Sequence, residues 1–234
     1  MKRYTHLVWD FNGTLIDDVA SDFGAANRLL KNHGLPEMKN VEEYRAVFGF
    51  PVADYYRRLG FDFSKVPFAE LAREWWADYS SRSETATLYP EILQILREIK
   101  ARGIPQIVLS ATEREMLQKQ LAGLGIAEMF DEILGADNTH AYGKADLARQ
   151  WKEKHPNAVP LMIGDTDHDA ETARAMGADI ILLSCGHQAR EKLEAANSLM
   201  ICERPKDVPF EKIFFVKKRR GKIFRKILDG WKKL

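Results

Sequence analysis

Six short apolar runs, each closed by turn-forming or polar residues, recur along the chain with amphipathic stretches between them. They are THLVWDF (5–11), PQIVLSA (105–111), MFDEILG (129–135), VPLMIGD (159–165), DIILLS (179–184) and SLMICE (198–203). Their length and near-continuous hydrophobicity suit strands buried on both faces. The stretches ILQILREIK, REMLQKQLAGLG, KADLARQWKEK and AETARAMG instead space apolar residues three and four apart, the period of a helix with one buried face. Alternation of the two patterns predicts βαβ units, and so an α/β, Rossmann-like core around a mostly parallel sheet. In such sheets chemistry collects at the carboxyl ends of the strands. Asp10, Ser110 and Asp165 all fall there.

Residues 16–84 break the alternation. Helical stretches such as DVASDFGAANRLLKNHG and FAELAREWWADYSSR fill this interval, and the core pattern resumes near LYPEILQILREIK. It reads as a helical cap inserted after the first strand. Its aromatics Tyr44, Phe48, Phe50, Tyr55, Tyr56, Trp75 and Trp76 would form a small core, with a minority facing a substrate cleft. The expected organisation is a core over 1–15 and 85–210, a cap over 16–84 and a tail over 211–234.

Composition narrows the class without changing that picture. Hydrophobic residues make up 45% and charged residues 29%, as in ordinary globular chains. No apolar run reaches the roughly 20 residues that span a bilayer. The start, MKRYTHLVWDF, has no long apolar segment or small-residue cleavage site, which argues against secretion and for a cytoplasmic setting. Cys185 and Cys202 have neither metal spacing nor a disulfide framework and read as buried apolar residues. Charge is uneven: the tail holds ten Lys/Arg against two Asp/Glu, while residues 1–210 hold 25 against 32. Phe224, Ile227, Leu228 and Trp231 give the tail an apolar stripe. A tail docked on the acidic body is the first expectation and a weak contact with an anionic membrane surface the second. No nucleic-acid module accompanies the charge, which argues against nucleic acid. The sequence leaves the oligomeric state open.

Four candidate pieces follow in order: Asp10 and Asn12 in VWDFNGTL, Ser110 after VL, Lys144 in AYGKADL, and Asp165 with Asp169 in GDTDHD. Singly, these residues read as a turn, a strand end, a surface lysine and helix caps. Together they resemble the haloacid dehalogenase-like superfamily, in its branch of phosphoglycolate-phosphatase-like hydrolases with a helical cap. The resemblance covers about residues 5–203 and leaves out the tail. It implies phosphomonoester hydrolysis through an aspartyl-phosphate on Asp10, which splits one hard displacement into two easier ones. It further implies Mg²⁺ held by Asp10, Asp165, the main-chain carbonyl of Asn12 and Asp169, the last acting through a metal-bound water. Lys144, the Ser110 hydroxyl and the Ala111 N–H would bind phosphoryl oxygens of a small phosphorylated substrate. The Pro that often follows the family's lysine is absent after Lys144.

Asn12 departs from the pattern. In the phosphatases this chain resembles, a carboxylate stands there, protonates the leaving oxygen and then activates water. A carboxamide does neither, although its main-chain carbonyl is unaffected. General acid–base help is typically worth about 10²–10⁴-fold, so its loss slows an enzyme without abolishing it. Three explanations stand: a natural variant that tolerates asparagine, a substitution that traps the enzyme, or His168 in GDTDHD taking over the proton. A polar residue in a helix's first turn is the plainer reading of His168. Arg45, near VFGFPVADYYRR, is a candidate partner for a second anionic group on the substrate, against a plain solvated arginine. The expected function is a Mg²⁺-dependent phosphatase. A phosphate-binding or regulatory protein with weak turnover is the alternative, and a phosphomutase stands behind it.

Overall fold

The computed structural model describes residues 4–83, 86–136 and 143–214, with the side chains of 81–83 set aside. In chain order the elements are β1 (His6–Trp9), β2 (Ile16–Asp17), α1 (Val19–Asn32), α2 (Val41–Val47), α3 (Val52–Arg58), α4 (Phe68–Ser83) and β3 (Thr87–Leu88). There follow α5 (Ile92–Ala101), β4 (Gln106–Glu113), α6 (Arg114–Gly123), β5 (Glu132–Ala136), α7 (Lys144–Lys154), β6 (Pro160–Gly164) and α8 (Asp167–Met176). The chain then adds β7 (Asp179–Leu183), α9 (Arg190–Glu194), β8 (Met200–Cys202) and α10 (Phe210–Phe214).

All six predicted apolar runs become strands of one six-stranded parallel sheet, ordered β5-β4-β1-β6-β7-β8. Period-two alternation divides each strand between two cores. Leu7, Trp9, Val108, Leu161 and Ile163 enter one cluster, while Val8, Ile107, Leu109 and Met162 enter the cluster on the opposite face. The chain builds outward from β1 to β4 and β5 on one side, then crosses to β6, β7 and β8 on the other. The crevice at that switch lies at the carboxyl ends of β4, β1 and β6, where an open α/β sheet receives its ligands.

The insert packs around its own cluster of Val19, Leu29, Leu30, Tyr44, Phe48, Tyr55, Tyr56, Phe61 and Leu71, with Trp75 against it. An antiparallel pair, Ile16↔Leu88 and Asp17↔Thr87, joins the chain's way into the insert to its way out. Two residues per strand are too few to register as a periodic pattern, and the sequence did not announce them. Cys202 is buried as expected, whereas Cys185 is only partly so, and both are free thiols. No described helix is long and apolar enough to cross a membrane. The proposed tail contacts of residues 215–234 lie outside the described residues.

Candidate active site

Register in the sheet brings the motif residues together. Val8 pairs with Ile107 on one side and Met162 on the other, so β1 and β6 end within a residue of one another, while β4 runs on to Glu113 and carries Ser110 inside the strand, not at its end as the sequence suggested. Asp10 continues β1 by donating its backbone N–H to the Ile163 carbonyl at 2.9 Å. Asp165 follows β6, and Asp169 stands in the first turn of α8, which Thr166 caps. Thr166 and Asp169 form a reciprocal capping box, the usual closure for orphan N–H groups at a helix start. One Asp169 oxygen accepts from the Asp165 and Thr166 N–H groups, at 3.0 Å each, and from the Thr166 hydroxyl at 2.7 Å. The helix-cap and functional readings of Asp169 therefore coexist in one side chain. Its other oxygen takes the Lys144 ammonium, which also donates to Asp10.

Asp10, Asp165 and Asp169 each present a carboxylate oxygen within 4.8 Å of the others. All are buried, so their charges are poorly screened by water. Burial, reinforced by Asp169, pushes Asp10 well above the usual carboxylate range against the pull of Lys144. Burial lifts Asp165 to about 6, opposed by His187 and helped by Asp169. Burial also works against ionised Asp169, yet Lys144 and the Thr166 hydroxyl hold it low. Lys144 is raised, because Asp10 and Asp169 outweigh the cost of burying it. Three convergent carboxylates sharing one ammonium form a hard-oxygen donor set with charge to spare, which fits a divalent cation. The backbone around Asp165 supports the same reading. A Cβ at Gly13 or Gly186 would collide with its carboxylate, and Gly13 has φ +68°, which favours glycine.

Asn12 faces a second polar cluster. Its amide nitrogen donates to Asp18 Oδ2 and to the Tyr79 hydroxyl, both at 2.8 Å. Its amide oxygen accepts from Thr112 Oγ1 at 3.2 Å, and the Ser110 hydroxyl donates to Thr112 at 3.0 Å. Asp18 also accepts from the Gly13 N–H at 2.8 Å and from Tyr79 at 2.6 Å. His187 completes the cluster: Nε2 lies 3.1 Å from Asp18, Nδ1 lies 2.7 Å from the Tyr44 hydroxyl, and its backbone N–H donates to Asp165 at 2.7 Å. Burial disfavours charged His187, but Asp18, Asp165 and Asp22 overcome it and push the imidazole up to about 10. Burial likewise opposes ionised Asp18, and His187 more than offsets it, so Asp18 is lowered.

This cluster was missed in the sequence. Asp18 and Asp22 are one helical turn apart on α1, a legible pairing, but His187 is 169 residues from Asp18 and only the fold unites them.

A cavity of about 280 Å³ lies over both clusters. Asp10, Asn12, Ser110, Ala111, Lys144, Asp165, His168 and Asp169 all line it, so eight of the nine singled-out residues converge. Arg45 requires correction. It is absent from the lining, and its guanidinium donates to the Gly186 and Cys185 carbonyls at 2.8 and 2.5 Å. Its charge is spent fixing the loop that carries His187. His168 sits in the first turn of α8, as its plainer reading had it, with its ring stacked on Phe50 at 4.4 Å between centroids. Burial, then the nearby Lys144, lowers its pKa and favours the neutral ring.

Comparison with known proteins agrees with this geometry. The family model described as haloacid dehalogenase-like hydrolase matches residues 7–183, and the chain belongs to that family. Its similarities fall in the phosphoglycolate phosphatase-like branch. The phosphoglycolate phosphatase of Rhodobacter capsulatus is 24% identical over 187 residues, covering 78% of this chain and 85% of that protein. The tyrosine-protein kinase PtkA of Mycobacterium tuberculosis is 24% identical over 199 residues, covering 83% and 67%. A haloacid dehalogenase-like family hydrolase from Streptococcus pneumoniae shares the fold, with TM-score 0.75 and 23% identity over 89% of this chain and 98% of that one.

Proposed function

We propose that this chain is a Mg²⁺-dependent phosphatase of small phosphomonoesters that works through an aspartyl-phosphate on Asp10. In this reading the α/β core (1–15 and 85–210) carries the chemistry and the insert (16–84) frames the substrate. The observation that carries it is the meeting of Asp10 and Asp165, at adjacent strand ends, with Asp169 and Lys144, at two helix starts, beneath one cavity. The phosphatase and kinase names among its relatives share phosphoryl transfer.

Asp10 and Asp165, with the Asn12 carbonyl, would hold Mg²⁺, and Asp169 would orient its water. When bound, the ion neutralises charge on the phosphoryl oxygens. The chain's own residues do the rest. Lys144 is held between Asp10 and Asp169, so its ammonium faces the attacking carboxylate and an incoming phosphate together. Ser110 and Ala111 line the same cavity, where the Ser110 hydroxyl and the Ala111 N–H would donate to phosphoryl oxygens. An Asp10 oxygen attacks phosphorus, the bond to the ester oxygen breaks, and that oxygen departs with the electron pair as an anion that takes its proton from solvent. Water then attacks the acyl phosphate and frees Asp10 and inorganic phosphate.

Asn12 supplies no proton to either step. Its amide is committed to Asp18, Tyr79 and Thr112, which suits it to organising the nucleophile's loop. The same observation favours a second reading, a phosphate-binding protein with feeble turnover.

The test is phosphate release from a panel of phosphomonoesters with and without Mg²⁺, with Asp10→Ala as the blank. Metal-dependent release lost in the blank is the expected result. Mg²⁺-dependent phosphate binding with no release above the blank would favour the second reading.

A further inference from the structure

The cavity is chemically lopsided. Buried carboxylates, Lys144 and Ser110 line it together with aromatic rings that include Phe48, Phe50, Trp75 and Trp76, with His168. Phe50 stacks on His168 with planes 25° apart, and Trp75 stacks on Tyr79 at 4.6 Å and 12°. Three large hydrophobic side chains are exposed among the described residues, Phe50 at 36%, Trp76 at 40% and Leu199, and the first two sit on this cavity. Exposed rings gathered at a concave site mark a ligand surface, whereas scattered ones mark nothing.

Charge among the described residues disfavours small substrates with a second anionic group. Phosphates that carry a second anionic group need a second cation. Among the described residues lining the cavity, the firmly cationic groups are Lys144, taken by Asp10 and Asp169, and His187, taken by Asp18. Among the described residues, four cations of the insert and of α9 turn to other partners. Arg45 holds the Gly186 and Cys185 carbonyls, Arg57 pairs with Asp54, Arg58 donates to the Val47 carbonyl and Lys192 to the Phe48 carbonyl. Asp18 and Asp22 face the same space and would repel an anionic tail.

Position 12 supplies an independent argument. With Asn12 bound to Asp18, that position hands no proton to the departing oxygen. An alkyl ester must then expel an alkoxide, about as basic as hydroxide from water of pKa about 16. A phenol, of pKa about 10, leaves as phenolate with the electron pair of the P–O bond and collects its proton from solvent afterwards.

We propose that this cavity is built for an aryl phosphate, a single-ring phosphomonoester whose uncharged aromatic group lies against Phe50, His168 and Trp76. The proposal rests on the phosphatase reading and names its substrate class. Water is the co-reactant, and the products are a phenol and inorganic phosphate.

The experiment uses the full chain with Mg²⁺ and compares phenyl phosphate with phosphoglycolate and glycerol phosphate. The expected kcat/KM favours phenyl phosphate by about 10²–10⁴-fold, the scale of the missing general acid. Substituted phenyl phosphates should show rates that climb steeply as the phenol becomes more acidic. Phe50→Leu and Trp76→Ala, both at exposed positions, should raise KM for phenyl phosphate several-fold more than KM for acetyl phosphate. A binding arm needs no turnover: phenylphosphonate should quench tryptophan fluorescence saturably where methylphosphonate does not. Release from phosphoglycolate equal to or faster than from phenyl phosphate would overturn the inference and leave the phosphatase standing. So would equal quenching by the two phosphonates. Selective phenylphosphonate binding with no release from any ester would instead uphold the aryl site and sink the hydrolase reading.

Discussion

Two buried acidic clusters lie side by side beneath the cavity, and they solve the same electrostatic problem differently. At Asp10, Asp165 and Asp169 three carboxylates share Lys144, and burial leaves Asp165 raised to about 6. At Asp18 and Asp22 the carboxylates are met by His187, Tyr44, Tyr79, Trp75 and Asn12; Asp18 is lowered, while burial still raises Asp22 against the pull of His187. The first cluster keeps unspent negative charge, which is what a cation site needs. The second is satisfied from within the chain and ties the insert to the loop after β7. Asn12 belongs to the second through its amide, and in the proposed cation site its backbone carbonyl would join the first. Its identity is then intelligible, because a carboxylate at that position would face Asp18 with only the Tyr79 hydroxyl, whose proton is given to Asp18, between them.

The comparison can be broken most severely at Asp10. Asp10→Asn should cut Mg²⁺-dependent phosphate release on the order of 10³-fold or more, measured against the wild type on one ester. Next is Lys144→Met, which leaves two buried carboxylates without their partner. It should cost about 3–5 kcal/mol in denaturant unfolding, a loss that added Mg²⁺ should partly restore if the first cluster is a cation site.

His187→Gln should remove the charged link of the second cluster and cost about 2–4 kcal/mol near neutral pH. The pH dependence has a definite sign. A group raised in the folded state stabilises fully below its unfolded pKa, near 6.5, and loses that contribution as pH climbs through its folded value. For His187 that value is about 10, so the gap between wild type and His187→Gln should shrink steadily between those limits. A constant gap would contradict a charged His187.

Asn12→Asp is the subtler probe. The new carboxylate would be buried beside Asp18, so its pKa would be raised and its cost would grow as pH rises above about 4. A loss of roughly 1–3 kcal/mol at neutral pH, relieved by Asp18→Asn in the same chain, is the expected outcome of thermal or denaturant unfolding. Smallest is Arg45→Lys, which breaks the paired contact with the Gly186 and Cys185 carbonyls. It should lower stability by about 1 kcal/mol and leave substrate KM unchanged; a large rise in KM would return Arg45 to the substrate.

The first cluster was legible in the sequence and the second was not, for a physical reason. Strands buried on both faces read as apolar runs, so the ends of β1 and β6 could be located, and a polar residue at such an end announces itself, as Asp10 and Asp165 do. Ser110 lies inside β4, whose polar continuation to Glu113 the apolar pattern did not show. The second cluster is assembled from a helix start, two tyrosines in other helices and a loop histidine, each unremarkable in its own neighbourhood. Arg45 shows the converse. An arginine near a glycine-proline turn invites an anionic partner, but its acceptors are main-chain carbonyls, which no side-chain pattern reveals. The capping box at Thr166 and Asp169 was readable as a helix start, yet its second use in holding Lys144 needed the fold.

The central claim is that Asp10 carries the phosphoryl group even though Asn12 cannot move a proton. It is tested most directly by acid-quenching the full chain during turnover of phenyl phosphate with Mg²⁺ and mapping the phosphorylated peptide by mass spectrometry. The account predicts phosphate on Asp10, absent from Asp10→Asn. Phosphate release that persists in Asp10→Asn, or label found on another residue, would contradict it.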